Sequence, residues 1–318
     1  PQLTADFTST IIYRFDMNLR DATVLGLVGA GGIGAPLIFA MSSYRWNEVG
    51  AILLGLIILC LFYPMWAVVV ASFSNPTELY QKSFLILPTE WTLESYRMVF
   101  RDKDFLMGLR NSVLYTVTGT ALNVVMNICG AYPLSKRRLK GRSVLMFLFT
   151  FTMLFSGGLV PTFLTVQRLG LMDTVWALVL PGAISAWNML IMKNYFQTSI
   201  PGELYEAARI DGADWMTILL QLVLPLSMPI VAVMILYYGV SHWNSYFSAL
   251  IYLRDRMRYP LQLIMRSYFS GNDFAEQGGG GEDTATALLL TETIKYALIV
   301  IASFPMLCLY PFMQRFFV

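Results

Sequence analysis

Side chains that commonly carry out enzyme chemistry are scarce in this sequence. It has one histidine, His242, and three cysteines that lie far apart inside apolar runs, Cys60, Cys129 and Cys308. No CxxC pair, Cys/His ligand set or GxxxxGK[ST] phosphate loop occurs, so neither a zinc site nor a Ser-His-Asp triad is expected. We therefore expect no catalytic residue, no metal site and no cofactor bound by this chain.

One glycine motif matches the dinucleotide-binding fingerprint literally. Residues 24–34 read VLGLVGAGGIG and contain Gly29-x-Gly31-x-x-Gly34. That fingerprint requires a preceding strand, a following helix and an acidic residue about 20 positions later. Here an apolar run follows, Glu48 comes too early, and the sequence shows no βαβ pattern. We therefore reject a membrane dehydrogenase.

A patterned stretch at residues 201–215, PGELYEAARIDGADW, is the strongest candidate for a contact with another protein. Pro201 can begin a helix, and the carboxylates of Glu203 and Glu206 favour the positive end of its dipole. Gly212 would end this short helix, which has a partly apolar face formed by Leu204, Ala207, Ala208 and Ile210. Such a helix between membrane spans indicates a soluble partner. The alternative is an interfacial helix that lies on the membrane alone.

Polar and aromatic residues at membrane depth are candidates for a substrate path. The densest cluster is residues 241–246, SHWNSY, and a smaller one is the pair at 187–188. Aromatic rings can stack on sugars, and amides and hydroxyls can bond sugar hydroxyls. The candidate path residues are Trp187, Asn188, Trp243, Asn244, Ser245 and Tyr246. The alternative is that they pack and hydrogen-bond the helices together.

The composition predicts the elements that hold these residues. Of 318 residues, 56% are hydrophobic and 13% are charged, and the mean hydropathy is +0.58. Because about a quarter of residues are charged in an average soluble domain, we expect an all-α membrane protein. At about 20 apolar residues per crossing, the sequence predicts a weak glycine-rich span at 22–43 and stronger spans at 49–73, 112–134, 143–166, 174–192, 228–252 and 287–313.

The distribution of basic residues predicts the orientation of these spans. Residues 136–142 read KRRLKGR and contain no acid. Short loops rich in Lys and Arg face the cytoplasm, so the loop at 193–227 is expected there and the loop at 253–286 outside. The net charge of +2 gives no reason to expect a nucleic-acid partner.

One motif of this sequence resembles the EAA loop of ABC importer permeases. The motif is Glu206-Ala207-Ala208, then Gly212, then Leu222-Val223-Leu224-Pro225. From about residue 60 onward the chain resembles the sugar-importer permeases related to the maltose system. Within them it is most similar to the subgroup for complex oligosaccharides and uronate-containing polymers. The resemblance is carried by ASFSNP (71–76), AYPLSKRRLKGR (131–142) and WNSYFSALIYL (243–253).

The resemblance implies the fold of a type I ABC importer transmembrane domain, with about six membrane helices. Its EAA loop, at about 200–228, would be a coupling helix that docks on a cytoplasmic ATPase. The implied ATPase-coupling residues are Glu203, Glu206, Ala207, Ala208, Asp211, Gly212, Leu222 and Pro225.

The same resemblance implies partners and a location. The partners would be a second, non-identical permease, a homodimeric ATPase that holds ATP and Mg, an extracytoplasmic solute-binding protein, an oligosaccharide and membrane lipid. The chain itself would hydrolyse nothing, and its location would be the bacterial cytoplasmic membrane, crossed several times.

Residues 9–37 separately resemble the end of phosphonate-importer permeases. They predict an extra N-terminal segment, 1–48, joined to an ABC transmembrane type-1 domain, 49–318. Phosphonate or phosphate uptake is therefore the alternative function. Since the sequence begins at Pro1 and stops at Val318 before the polar tail of the sugar class, we expect a processed or partial chain.

Overall fold

A computed structural model of the chain describes residues 40, 43–75, 78–79, 86–136, 138–270 and 284–315. Over these residues it consists of helices, turns and one isolated bridge between Ser74 and Trp91, with no strand. The predicted all-α fold is confirmed. The phosphonate-like segment at 9–37, the fingerprint glycines, almost all of the weak span at 22–43 and most of the loop at 253–286 beyond residue 270 lie outside the described residues.

The chain divides into two compact units, residues up to Val70 and residues from Ala71 onward. In the first unit the described residues lie mostly in helix α1 (Trp46–Ser72). With 27 residues at about 1.5 Å each, α1 is about 40 Å long, which exceeds a bilayer core of about 30 Å. Its exposed side chains are largely apolar, as contact with lipid requires, and include Leu54, Leu61, Phe62, Met65 and Trp66.

The second unit is a bundle of long and short helices. They are α2 (Glu94–Arg101), α3 (Lys103–Ser135), α4 (Arg142–Leu154), α5 (Leu159–Arg168), α6 (Val175–Val179), α7 (Ala186–Thr198), α8 (Gly202–Ile210), α9 (Trp215–Leu226), α10 (Met228–Trp243), α11 (Phe247–Tyr252), α12 (Leu261–Phe269) and α13 (Thr284–Gln314). Within α9, residues Ile218–Val223 are π-helical. A 3₁₀ turn at Arg256–Arg258 precedes α12.

Helix α3 is the centre of this bundle, and α7, α10 and α12 pack along it. Two glycines allow the close approach. A Cβ atom on Gly108 would clash with the Ile264 side chain, and one on Gly119 would lie 2.6 Å from Nε2 of His242. Small residues at such contacts are typical of helix packing in membranes, where close backbone approach supplies van der Waals contact.

The apolar core of the second unit lies in two main clusters near the two ends of α3. Near its C-terminal end, Ala131 and Leu134 pack with buried residues of α7, α9 and α10, among them Met189, Val223 and Met234. Near its N-terminal end, Phe105 packs with residues of α2, α10, α12 and α13, among them Val99, Trp243, Leu261 and Leu298. α3 therefore connects the two ends of the bundle.

Among the described residues, two stretches are long and apolar enough to cross a membrane without a bend, α3 and the part of α13 at Thr293–Pro311, and Leu61–Ser72 of α1 is a shorter apolar stretch. Two further pairs pass the same test as bent units. They are α4 with α5, bent by 115°, and α9 with α10, bent by 81°. The predicted spans at 112–134 and 287–313 correspond to α3 and α13.

Three of the predicted spans, 143–166, 174–192 and 228–252, are each interrupted by a break in the helix. The first is broken at 155–158, where Gly158 has φ of +84°. The second is broken between Val179 and Ala186, where Pro181 removes a backbone donor. The third is broken between Trp243 and Phe247. Apolar content alone does not reveal such breaks, because backbone groups freed at membrane depth are tolerated beside a cavity or other protein.

Candidate functional site

The helix predicted in the EAA loop is present as α8, which follows Pro201. It ends in a Schellman motif, in which the amide of Gly212 donates to the carbonyl of Arg209 at 3.1 Å and the amide of Ala213 to that of Ala208 at 2.9 Å. Gly212 has φ of +83°, a left-handed value that glycine adopts without steric cost. The predicted turn out of the helix at Gly212 is thus confirmed.

One face of α8 is open to solvent. The exposed side chains that share it, at helical spacing, are Glu203, Glu206, Ala207 and Ile210. We call this set the outer face of α8. Tyr205 and Ala208 lie on the opposite side and pack against the core. The apolar residues predicted to form one face are therefore divided: Ala208 packs inward, whereas Ile210 is 86% exposed.

Cation–π contacts hold α8 to the end of α3. The Lys136 ammonium lies 2.9 Å from the centroid of the Tyr205 ring and 4.8 Å from that of Tyr132. The Arg209 guanidinium lies 4.1 Å from the Trp215 ring centroid, and the Tyr132 hydroxyl donates to the Trp215 carbonyl at 3.3 Å. Aromatic rings attract such cations electrostatically. These contacts join α8, the end of α3 and the start of α9.

The same surroundings shift two pKa values. Burial, and then the nearby Arg209 guanidinium, lower the pKa of Lys136 to about 8. Burial, and then Tyr132, raise the pKa of Tyr205 to about 12. The tyrosine is therefore a neutral ring at neutral pH, and Lys136 becomes neutral as the pH rises past about 8, because the cost of burying its charge outweighs the attraction of the rings.

Helix α8 ends at Asp211, whose side chain is exposed. Asp214 caps the start of α9, where its carboxylate accepts a hydrogen bond from the Thr217 amide at 2.9 Å. Leu222 packs against the core, whereas Pro225 is exposed. The π-helical turn within α9 carries both buried and exposed apolar side chains. Such turns occur often at functional sites. The EAA residues thus combine an exposed helix with a segment that leads directly into the bent pair α9 and α10.

A cavity of about 320 Å³ lies among α3, α7, α10 and the breaks beside α6 and α11. Polar and aromatic groups dominate its lining, which includes Asn123, Asn188, Tyr237, Tyr238, Ser241, His242, Ser245, Ser248 and Tyr252. Convergent hydrogen-bonding groups beside rings are what a small polar ligand requires.

The structure separates the six predicted path residues. Asn188 and Ser245 line the cavity. Trp243 is buried in packing, and its indole donates to the Ala302 carbonyl at 2.9 Å. The other three are exposed outside the lining: Trp187, Asn244 and Tyr246.

Sequence reasoning missed a network of buried amides on α3. Asn123 Nδ2 lies 3.0 Å from Nε2 of His242. Asn127 Nδ2 donates to the Tyr238 hydroxyl at 2.6 Å, and that hydroxyl also accepts from the Ser185 amide at 3.2 Å. Within the described part of the chain, the Oδ1 atoms of Asn123 and Asn127 are buried without a partner. The network therefore supports one wall of the cavity.

A signal for this network exists in the sequence. Within the apolar stretch that forms α3, polar residues recur at the spacing of one helix face: Ser112, Thr116, Thr120, Asn123 and Asn127. Helical periodicity normally marks an apolar face. In a membrane helix the same periodicity of polar residues marks the face turned toward the protein interior.

Comparison with known proteins decides the family. Residues 127–318 match the model of a family described as the binding-protein-dependent transport system inner membrane component. The chain belongs to this family. The matched residues include α8, α9 and the cavity-lining part of α10, together with the Asn127 end of the buried amide network.

Individual relatives cover most of the permease. It is 44% identical over 259 residues to the polygalacturonan/rhamnogalacturonan transport system permease protein YtcP of Bacillus subtilis (strain 168), across 80% of this chain and 88% of the relative. It is 42% identical over 254 residues to Protein LplC of the same strain, across 80% and 85%. A solved structure of a bacterial ABC transporter involved in the import of the acidic polysaccharide alginate matches with a TM-score of 0.77 and 34% identity, covering 87% of this chain and 98% of that chain.

These similarities confirm the predicted class. The permease has the fold of ABC importer transmembrane subunits, and its relatives are permeases for sugars and oligosaccharides. The phosphonate alternative is not favoured. The apolar helices and the family together make it a membrane protein.

Proposed function

We propose that this permease imports an oligosaccharide, and that uronate-containing chains are its substrate class. The support comes from the names of two relatives. YtcP is named for polygalacturonan and rhamnogalacturonan, and the matching structure belongs to a transporter of the acidic polysaccharide alginate. Both names describe acidic polysaccharides rather than neutral glucans.

The polar cavity suits such a substrate. Its hydroxyl and amide groups donate hydrogen bonds to sugar oxygens and carboxylates, and its tyrosines offer faces to the apolar side of sugar rings. Among the residues that the structure describes, none of those lining the cavity is an aspartate or glutamate, so a carboxylate substrate meets no like charge from them. An importer needs a site that binds briefly and then releases, and neutral donors provide this better than a buried basic residue would.

We further infer that the outer face of α8 docks on a cytoplasmic ATPase. The observation that carries this proposal is an exposed, acid-bearing helix that is fixed on its other side to α3 and α9 through Lys136, Tyr205 and Trp215. A force applied to the outer face would reach the bent pair α9 and α10 through these contacts. Glu206 would pair with a basic or polar group of the ATPase.

The proposed assembly follows from this single docking helix. One chain supplies one coupling helix, and a homodimeric ATPase that binds ATP and Mg offers two equivalent grooves. A second, non-identical permease would fill the other groove. An extracytoplasmic solute-binding protein would deliver the sugar, and the chain would cross the bacterial cytoplasmic membrane several times. Purification through a tag on this chain, followed by identification of the subunits, tests this composition. A functional importer with this chain as its sole membrane subunit would contradict the heteromeric part.

Uptake by vesicles tests the import function. The complete complex, with its binding protein, is placed in proteoliposomes loaded with ATP, and uptake of a labelled oligogalacturonide is compared with that of a maltodextrin of equal length. We expect ATP-dependent uptake of the uronate chain and little uptake of the neutral one. The opposite preference would contradict the substrate class. ATP hydrolysis without uptake of any oligosaccharide would contradict the import function.

A further inference from the structure

A second cavity, near α8, shares no lining residue with the polar cavity. It is a groove of about 650 Å³ between the end of α3, the loop that follows it and the start of α9. Its walls are mostly apolar and are formed by Cys129, Pro133, Leu139, Trp215, Met216 and Leu219. Trp215 and Met216 are at least half exposed, so the groove is open along one side.

The groove is amphipathic along its length. Cys129 lines the end formed by α3, more than one helical turn before that helix ends, and Lys136, Arg138 and Lys140 line the end formed by the loop. Arg209 lies next to this basic end, stacked on Trp215. The described residues that line the groove include no acid. One end therefore attracts anions, and the other accepts apolar groups.

The end of the groove formed by α3 and α9 continues into exposed apolar surface. Val125 and Met126 on α3, and Leu220 on α9, are exposed next to the lining residues in sequence. Exposed apolar side chains of this type are suited to contact with lipid tails, which are as apolar as leucine. The basic end belongs to the loop that positive-inside reasoning assigns to the cytoplasmic side. The groove thus runs from the lipid region to the level of the headgroups.

We propose that this groove binds an anionic phospholipid, with the phosphate between Arg138 and Lys140 and an acyl chain along Cys129 and Leu219. Basic pockets between helices at the cytoplasmic surface are suited to acidic headgroups. Charge complementarity and the continuous apolar wall favour a lipid over a soluble anion, which would leave the apolar part empty. The bound lipid would brace the junction of α3, α8 and α9.

Spin-labelled lipids test the proposal in the complete importer complex. Electron paramagnetic resonance gives the association constant of labelled phosphatidylglycerol relative to labelled phosphatidylcholine. We expect the wild-type complex to prefer phosphatidylglycerol. In the variant Arg138→Gln/Lys140→Gln, the ratio of the two association constants should fall about fivefold for each charge removed. The matched control is Arg168→Gln/Arg254→Gln, which removes two exposed charges outside the groove and should leave the preference unchanged.

The outcomes separate this proposal from the proposed function, because the readout is lipid association rather than sugar uptake. Equal preference in the wild type and in the groove variant would overturn the lipid site. So would a wild-type complex with no preference for phosphatidylglycerol, which is the result expected if a second subunit covers the groove. To show that the variants remain folded, their unfolding temperatures and subunit composition are compared with the wild type.

Discussion

Gly212 is the residue at which the EAA loop depends most on backbone conformation. It has φ of +83°, and a Cβ placed on it would meet nothing within 4 Å. Substitution therefore acts through backbone strain alone. A side chain in left-handed geometry costs about 1–2 kcal/mol, and a β-branched residue is among the least tolerant of such a conformation.

We expect Gly212→Val to uncouple uptake from ATP hydrolysis. The strain should lower the fraction of molecules in which the EAA loop has its left-handed turn at residue 212 by about 5- to 30-fold. The apolar spans are unchanged and should still insert. The control is Gly202→Val, because Gly202 lies in the same loop, has equally open surroundings and does not have positive φ. Uptake per ATP hydrolysed is measured in proteoliposomes. Equal values in both variants would remove Gly212 from the coupling assignment.

Lys136 should make stability depend on pH in the alkaline range. Its pKa falls from an ordinary 10.5 to about 8 in the folded protein, first because of burial and then because of Arg209. Between about pH 8 and 10.5 the unfolded chain therefore holds a proton that the folded chain has lost, so the free energy of unfolding rises with pH. Below about pH 8 the folded and unfolded chains both hold this proton, so Lys136 causes no pH dependence of the free energy of unfolding there.

Thermal unfolding of the purified importer across that range measures the effect. The part of the pH dependence due to Lys136 should disappear in Lys136→Met and persist in Lys140→Met, a lysine of the same loop. A Lys136→Met profile that matches the wild type between pH 8 and 10.5 would show that the lysine keeps its ordinary pKa.

At the level of single residues, the sequence predicts some roles and misses others for physical reasons. The helix end at Gly212 is predictable because local backbone rules govern it. The orientation of Trp243 is not, since only the fold shows that its indole meets the Ala302 carbonyl. The same holds for Asn123, whose partner His242 is distant in sequence.

At the scale of helices, the approach of α10 to α3 depends on Gly119. A Cβ there would lie 2.6–2.8 Å from the His242 ring atoms, closer than real contacts allow. Because His242 also contacts Asn123 at 3.0 Å, its ring cannot move aside without opening the buried amide network. The contact between α3 and α10 and one wall of the polar cavity therefore depend on the same small residue, Gly119.

We expect Gly119→Ala to destabilise the permease by about 1–3 kcal/mol through overpacking. The matched control is Gly130→Ala on the same helix, where the new Cβ would lie 3.1 Å from the Met189 sulfur, so an unbranched side chain has to shift by only a few tenths of an ångström. Alanine there should be neutral or stabilising, since glycine weakens helices by about 1 kcal/mol. Thermal unfolding of both variants measures the difference. A smaller loss at Gly119 than at Gly130 would contradict the packing account.

Prediction of helices from the sequence succeeds where one physical signal dominates. Apolar length identifies α3 and α13, and helix-end signals identify α8. It fails at the breaks within 143–166, 174–192 and 228–252. Pro181 and the glycines near 157–158 are present in the sequence, but proline and glycine also occur inside intact helices here, as Pro305 and Pro311 do in α13. Whether such a residue breaks a helix depends on whether neighbouring groups satisfy the freed backbone.

At the scale of the whole molecule, residues 1–48 carry a resemblance different from that of the rest. If they derive from another permease, the helices on which they once packed are absent from this chain. We expect deletion of residues 1–47, which leaves the predicted span at 49–73, to preserve ATP-dependent uptake to within about twofold, which corresponds to a loss of at most about 0.4 kcal/mol.

Uptake and membrane insertion of the shortened chain are measured together. If the shortened chain inserts and assembles normally but no longer transports, residues 1–47 take part in the transport cycle. A chain that fails to insert would show that they are needed for assembly. Either result would contradict the predicted independence of residues 1–48.

The central claim is that the outer face of α8 connects sugar import to an ATPase, and charge reversal on that face tests it most directly. Uptake and ATP hydrolysis are measured in proteoliposomes for Glu206→Lys and for Glu94→Lys, an exposed acid at the start of α2. We predict that Glu206→Lys loses at least about tenfold of the uptake per ATP, equivalent to about 1.4 kcal/mol, whereas Glu94→Lys matches the wild type. Wild-type coupling in Glu206→Lys would contradict the account.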